Sequence, residues 1–281
     1  MTERLREVTA RIQGVRQLGT VVTAMRGVAA ARAQQSRGLL PGTRAYAASI
    51  ATSIAQALRL LPPERRARGH GPQALILFAA EHGFAGAFSD HVLDTAGADA
   101  RTSVLFVVGS RGARRAEERG LAPAWQTAMA AHPASVPASA QRVLEALYQR
   151  LDQEAFSRVG MVFPIWSPAH GLSIERRSLL PLDRRQFAAL PAADAPLVTL
   201  PPAELLEQLA EEYVYAQLCE AALHDFAAEN EARMATMVRA KAQVEDMLAS
   251  LQAEERRVRQ EDITAEVIEL SASRITAGEA A

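Results

Sequence analysis

The stretch AAENEARMATMVRAKAQVEDMLASL, from Ala227 to Leu251, contains neither glycine nor proline and carries a stripe of apolar side chains. It lies within a longer run without either residue, from Ala203 to Ser273. At about 1.5 Å per residue, a helix of roughly 70 residues is on the order of 105 Å long, several times the diameter of a small domain. Such a helix cannot bury its stripe in a core of its own, so the sequence predicts a partner helix.

The spacing of the stripe indicates a coiled coil, because its positions alternate in steps of four and three. These positions are Leu223, Ala227, Asn230, Met234, Met237, Lys241, Val244, Leu248, Leu251, Glu255 and Val258. The N-terminal end has the same alternation at Leu5, Val8, Ile12, Val15, Gly19, Val22, Arg26 and Ala29. We refer to these positions on the two ends as the seam. We therefore expect residues 1 to about 36 to pack antiparallel against residues 210 to 275.

The charges of the two ends are opposite in sign. Residues 1–46 carry eight basic and two acidic groups, whereas residues 203–281 carry seven basic and seventeen acidic groups. This difference is explained either by attraction between the ends or by separately solvated helix faces. The whole-chain net charge of -1 gives no reason to expect nucleic acid as a partner.

The middle of the chain has a different pattern. Three short apolar runs bounded by glycine and proline, ALILFAA (74–80), SVLFVVGS (103–110) and RVGMVFPIW (158–166), alternate with helical candidates. This alternation predicts a small Rossmann-like α/β domain inserted between two coiled-coil helices. The predicted domains are 1–60, 72–200 and 203–281. Pro41 and Gly42 predict an interruption of the first helix, with a second helical stretch after it.

Motifs for chemistry are weak. The segment GSRGARR follows a predicted strand, as a phosphate loop does, but it matches neither glycine-rich phosphate-binding pattern. Glu81-His82 and Asp90-His91 could form an acid/base cluster at a strand end, or they could be turn and surface residues. The histidines and the single cysteine, Cys219, have no metal-ligand spacing, and we expect no metal, cofactor or catalytic residue. The apolar runs are far shorter than the roughly 20 residues needed to cross a bilayer.

Two terminal motifs resemble the gamma subunit of rotary F-type ATP synthases and ATPases. The N-terminal TAMRGVAAAR, residues 23–32, is similar to the family's T-x-A-M-K-x-V-A-A-A-K. The C-terminal ENEARMATMVRA and RQEDITAEVIELSAS resemble its S-E-x-x-A-R-M-x-A-M-x-x-A and R-Q-x-x-I-T-x-E-x-x-E-I-x-x-G-A. Departures such as Gly27 in place of a methionine, and arginine at almost every family lysine, suit a divergent or alternate-operon member.

The resemblance implies that the long helix pair is an axle. It would turn inside a ring of alpha and beta subunits, with the inserted domain on the epsilon subunit and the membrane c-ring. Catalysis would remain on the partners, at the cytoplasmic face of the bacterial plasma membrane. By the same resemblance, the partner-binding residues are Met25, Arg26, Arg233, Arg259, Gln260, Thr264 and Glu266.

Arg233 is expected beside the helix pair, exposed and available to a beta-subunit carboxylate. Two other classes of function stay open on the residues alone. One is a coiled-coil scaffold or adaptor with an α/β domain, and the other is a nucleotide-binding α/β enzyme.

Overall fold

The computed structural model describes residues 3–62, 71–153, 156–188 and 197–278. The chain forms two compact units. The coiled-coil unit combines Met1–Val28 with Met234–Ala281, and the α/β unit comprises Ala29–Arg233. The three domains expected from the sequence stay a prediction, and the linker residues 63–70 and 189–196 lie outside the described residues.

Two long helices account for most of both ends. Helix α1 spans Glu3–Arg59, and helix α7 spans Pro202–Gly278. The expected interruption at Pro41 is wrong, because α1 runs through this residue. An interior proline removes one backbone hydrogen bond, at a cost of about 3 kcal/mol. Burial of the neighbouring Leu40 and of Ile50 on the same helix offsets that loss.

In the coiled-coil unit, the N-terminal part of α1 packs against α7 in the antiparallel sense. Arg4 at the start of α1 pairs with Glu261 at 3.3 Å, while Gly19, four turns later, lies beside Val244. Val8, Ile12 and Leu251 form a buried apolar cluster between the helices. The predicted seam is therefore the buried face, which confirms the antiparallel coiled coil.

In the α/β unit, the same two helices also run antiparallel. The Ser36 hydroxyl donates to the Leu223 carbonyl at 2.8 Å, and Arg44 Nε donates to Glu220 at 2.9 Å. Further along α1, the Tyr46 hydroxyl donates to Glu212. Polar contacts thus accompany the apolar seam over this part of the pair.

The inserted domain is built on one mixed sheet. Its strands are β1 Gln73–Phe78, β2 Val104–Val108, β3 Trp125–Thr127, β4 Arg158–Ser167 and β5 Gly171–Leu180. Their order is β3-β2-β1-β4-β5, with β5 antiparallel to β4 and the other neighbouring pairs parallel. The three predicted apolar runs are β1, β2 and β4, so the predicted Rossmann-like domain is confirmed.

Shorter helices connect the strands. They are α2 Phe88–Ala96, α3 Asp99–Thr102, α4 Ser110–Glu118 and α5 Val136–Gln153, with a 3-10 turn at Pro133–Ser135. Helix α6, Arg184–Ala188, lies between β5 and α7 in the sequence. One face of the sheet packs on α5 and α7, where Phe78, Leu147 and Leu218 are buried. The other face packs on α2 and α4. Helix α7 is thus part of the core of the α/β unit as well as of the coiled coil.

Candidate functional site

The part of α7 that runs through the α/β unit is buried almost all round. Every residue from Val214 to Arg233 is buried or half-buried. The buried polar residues in this segment are Gln217, Glu220, His224, Asp225, Glu229, Asn230, Glu231 and Arg233. Because buried polar groups are costly without partners, the contacts of this segment show what fixes α7.

One set of contacts fixes α7 to the segment that follows β1. Glu229 accepts the backbone N–H groups of Glu81 at 2.9 Å and His82 at 3.0 Å. Arg233 donates to Glu229, to Asn230 Oδ1 at 2.8 Å and to the Gly83 carbonyl at 3.2 Å. We refer to Glu229, Arg233 and the backbone of residues 81–83 as the α7 joint.

The expected exposure of Arg233 is therefore wrong. This residue is only 6% exposed, because the segment after β1 covers its side of α7. Its guanidinium is held by groups of this chain. The sequence does give Glu229 four residues earlier, the usual spacing of an ion pair along a helix. A role of Arg233 in partner binding stays a prediction.

Glu81 takes the position at which a phosphate loop would hold its anion. Its carboxylate accepts the backbone N–H and the hydroxyl of Ser110, both at 2.8 Å, at the start of α4. It also accepts the Met129 N–H at 2.8 Å. A helix N-terminus attracts anions, and here the anion is the protein's own carboxylate. The GSRGARR segment is thus an internally capped turn.

The possible acid/base cluster is divided between different partners. Whereas Glu81 caps α4, Asp90 pairs with Arg115 and Arg119 at the surface of α2 and α4. The hydrogen bond from Arg115, together with the charge of Arg119, lowers the pKa of Asp90. An anion held in this way is a structural partner, which favours the turn and surface interpretation of these residues.

A second ionic cluster joins α1, β5 and α7. Glu220 accepts from Arg44 at 2.9 Å and from Arg177 at 3.0 Å, and the His224 ring lies one turn further along α7. His224, followed by Arg44 and Arg177, lowers the pKa of Glu220 to about 2. Glu220 is therefore a buried carboxylate that remains ionised at neutral pH.

The other predicted site residues lie on the coiled-coil unit. Met25 and Arg26 are half-buried on α1, whereas the four residues on α7 are exposed, namely Arg259, Gln260, Thr264 and Glu266. Arg259 pairs with Glu255 at 3.0 Å, and the Thr264 hydroxyl donates to the Gln260 carbonyl at 2.8 Å. Arg233 is in the α/β unit, so the predicted residues do not all share one compact unit.

The coiled-coil unit also exposes large apolar side chains that are not among the predicted site residues. These are Leu18, Val21 and Val28 on α1 and Val238, Met247, Ile263, Val267, Ile268 and Leu270 on α7, each at least half exposed. In the sequence, these residues can be recognised as apolar residues that lie outside the seam positions. A groove of about 640 Å³ between the helices, bordered by Gly19 and Val244, adds to this surface. Apolar surface of this kind is typical of a protein interface.

Within the described ranges, no helix has the length and apolar character needed to cross a membrane.

The fold and this surface define the class of the protein. The chain's two ends form a coiled coil, a Rossmann-like domain is inserted between them in the sequence, and the exposed apolar face of the coiled coil suits protein partners. A family model described as ATP synthase matches residues 4–275. The chain belongs to this family, that of the ATP synthase gamma chains.

Individual relatives agree with this assignment. The ATP synthase gamma chain of Parafrankia sp. (strain EAN1pec) is 26% identical, over 96% of each chain. In the rotor of the Euglena gracilis mitochondrial ATP synthase, a chain of 14% identity matches with a TM-score of 0.63, covering 92% of this chain and 99% of its own length. A chain from the OSCP/F1/c-ring assembly of the same enzyme matches with a TM-score of 0.64 and 12% identity, over 98% and 96% of the two chains.

Proposed function

We propose that this chain is the central-stalk rotor subunit of a rotary F-type ATP synthase or ATPase. In this role it couples ion flow through the membrane sector to ATP synthesis or hydrolysis on a catalytic ring. The observation that carries the proposal is the antiparallel pairing of α1 and α7 in the coiled-coil unit, together with the apolar side chains that the pair exposes. Family membership supports it.

A rotor works only if its contacts with the ring differ from one catalytic subunit to the next. Coupling between sites requires such differential contacts. The two helices of the coiled-coil unit differ in sequence all along their length, so the pair presents a different surface in each direction. Leu18 and Val21 on α1 and Met247 on α7 are exposed members of this surface.

We further propose that the chain is a non-catalytic subunit. Glu81 holds the N–H groups that would cradle a phosphate, which argues against nucleotide binding at the start of α4. ATP then binds and reacts on the partner subunits. The purified chain alone is expected neither to bind ATP at micromolar concentration nor to hydrolyse it.

The partners in this proposal are the alpha and beta subunits around the coiled coil, and the epsilon subunit and c-ring at the α/β unit. The exposed polar residues Arg259, Gln260, Thr264 and Glu266 contact the ring, as do Met25 and Arg26. The complex stands at the cytoplasmic face of a bacterial plasma membrane, with this chain peripheral.

Reconstitution with the alpha and beta subunits of an F-type ATP synthase from the same source tests the proposal. Leu18→Glu places a charge on an exposed apolar position of the coiled-coil unit, and Leu39→Glu makes the same change on α1 in the α/β unit. We expect Leu18→Glu to lower the yield or the ATPase rate of the assembled complex, with Leu39→Glu close to the unmodified protein. Failure of the unmodified chain to join these subunits would favour a coiled-coil scaffold instead.

A further inference from the structure

Asp225 is a buried carboxyl group that the proposed rotor function does not use. It lies on α7 in the α/β unit and is 0% exposed. Neither carboxyl oxygen has a hydrogen-bond partner among the described residues. An isolated carboxylate in such surroundings is strongly disfavoured, because its charge has lost water and gained no donor.

The charged neighbours of Asp225 are also negative. Glu229 lies one turn later on α7, and Glu81 follows β1; the charge of each acts against ionisation of Asp225. The basic groups that contact this part of α7 pair with its other carboxylates: Arg37 of α1 with Glu231, Arg44 of α1 and Arg177 of β5 with Glu220, and Arg233 with Glu229. The adjacent His224 faces Arg44, at 2.9 Å from its Nη2 atom.

We propose that Asp225 is a neutral carboxylic acid in the folded chain, and that its ionisation opens the α7 joint. The proton comes from solvent as the unit folds and returns to solvent when the joint opens. Glu229 and Glu81 are the link, because Glu229 holds the backbone of residues 81 and 82, and Glu81 holds the start of α4. A third negative charge beside these two carboxylates draws water into the joint and separates the segments that they hold together.

The sign of the pH dependence follows from burial. Burial raises the pKa of Asp225 well above its ordinary value of 3.8, and the charges of Glu229 and Glu81 raise it further. The folded chain therefore keeps this proton at pH values where the unfolded chain has lost it. The contribution of Asp225 to stability is complete below pH 3.8 and is lost as the pH rises through the folded-state pKa.

Infrared spectroscopy of the full-length chain tests the protonation directly. At pH 6 we expect the C=O stretching band of a protonated carboxyl, which Asp225→Asn removes and Glu207→Gln retains. Glu207 is the matched control because it is an exposed carboxylate on α7 in the same unit. Absence of the band from the unmodified protein would overturn the proposal, and this observation does not depend on whether the Asn variant folds.

Thermal unfolding and hydrogen exchange test the link to the joint. We expect the Tm of Asp225→Asn to exceed that of the unmodified chain at pH 8, with the difference shrinking toward pH 4. The protection factors of the Glu81 and His82 N–H groups are expected to fall with rising pH in the unmodified chain and to change less in the variant. Parallel pH profiles in the two proteins would contradict the proposal.

Discussion

Arg233 contacts Glu229 one turn earlier on α7, and both side chains are more than nine-tenths buried. Glu229 in turn holds the backbone of residues 81 and 82. The ion pair therefore stabilises more than the helix on which it lies. It fixes α7 to the carboxyl end of β1 within the α/β unit.

Arg233→Ala is expected to destabilise the isolated chain by about 3 kcal/mol, because removing one partner of a buried pair leaves an uncompensated charge. Urea unfolding of the purified chain measures the change. Arg239→Ala is the control, an exposed arginine of α7 whose loss is expected to shift stability by no more than about 0.5 kcal/mol. Equal unfolding midpoints for Arg233→Ala and the unmodified chain would contradict a stabilising role for this ion pair.

Glu81→Gln is expected to lower the free energy of unfolding by about 1–3 kcal/mol. The substitution removes the charge that accepts from Ser110 and Met129 and turns an amide N–H₂ toward backbone donors. Glu117→Gln provides an exposed comparison on α4. If urea unfolding gives the same loss for both variants, the cap on α4 contributes nothing specific.

Acid should unfold the α/β unit through Glu220. Because its neighbours lower the pKa of Glu220 from 4.5 to about 2, its contribution is present above pH 4.5 and is lost as the pH falls toward 2. A difference of this size corresponds to about 3 kcal/mol at neutral pH. In thermal melts at pH 7, Glu220→Gln is expected to have a lower Tm than the unmodified chain. Between pH 7 and pH 2, the Tm of the variant is expected to fall by less than that of the unmodified chain. A variant curve parallel to that of the unmodified chain would refute this assignment.

The glycines of α1 in the coiled-coil unit are expected to respond unequally to alanine. A Cβ at Gly14 or Gly27 would meet no atom within 4 Å, whereas a Cβ at Gly19 would lie 3.1 Å from Val244 Cγ1. Alanine at Gly14 or Gly27 is therefore expected to stabilise the unit by about 0.5–1 kcal/mol, the usual gain in a helix interior. Gly19→Ala is expected to give a smaller increase in stability, because the Val244 side chain must move to make room for the new Cβ. Circular dichroism melts rank the variants, and an equal gain at all three positions would contradict this packing.

The helix pair could be predicted from the sequence because its signal is local and repeated. A seam position every three or four residues identifies the buried face on each helix, and Val8, Ile12 and Leu251 lie where that pattern requires. The strands β1, β2 and β4 could also be predicted from the sequence, since each is an apolar run buried in the sheet. Strand β5 was not, because its mixed ERRS segment leaves several side chains exposed or half-buried.

The burial of α7 between Val214 and Arg233 could not be predicted in the same way. His224, Asp225, Glu229 and Arg233 are polar side chains of a kind usually found at a helix surface. Their burial depends on elements far away in the sequence, above all on the segment after β1. Helical periodicity indicates which face of a helix packs against a partner helix. It does not indicate which loop, distant in the sequence, covers the opposite face.

Rotation is the measurement that tests the central proposal most directly. The chain would be assembled with its alpha and beta subunits on a surface, with a probe attached to the α/β unit through Tyr46→Cys, an exposed position on α1. Buried Cys219 would be replaced by alanine so that the label is specific. We expect stepwise rotation of the probe in one direction while ATP is hydrolysed. Sustained hydrolysis by a complex that contains this chain, with the probe stationary, would contradict it.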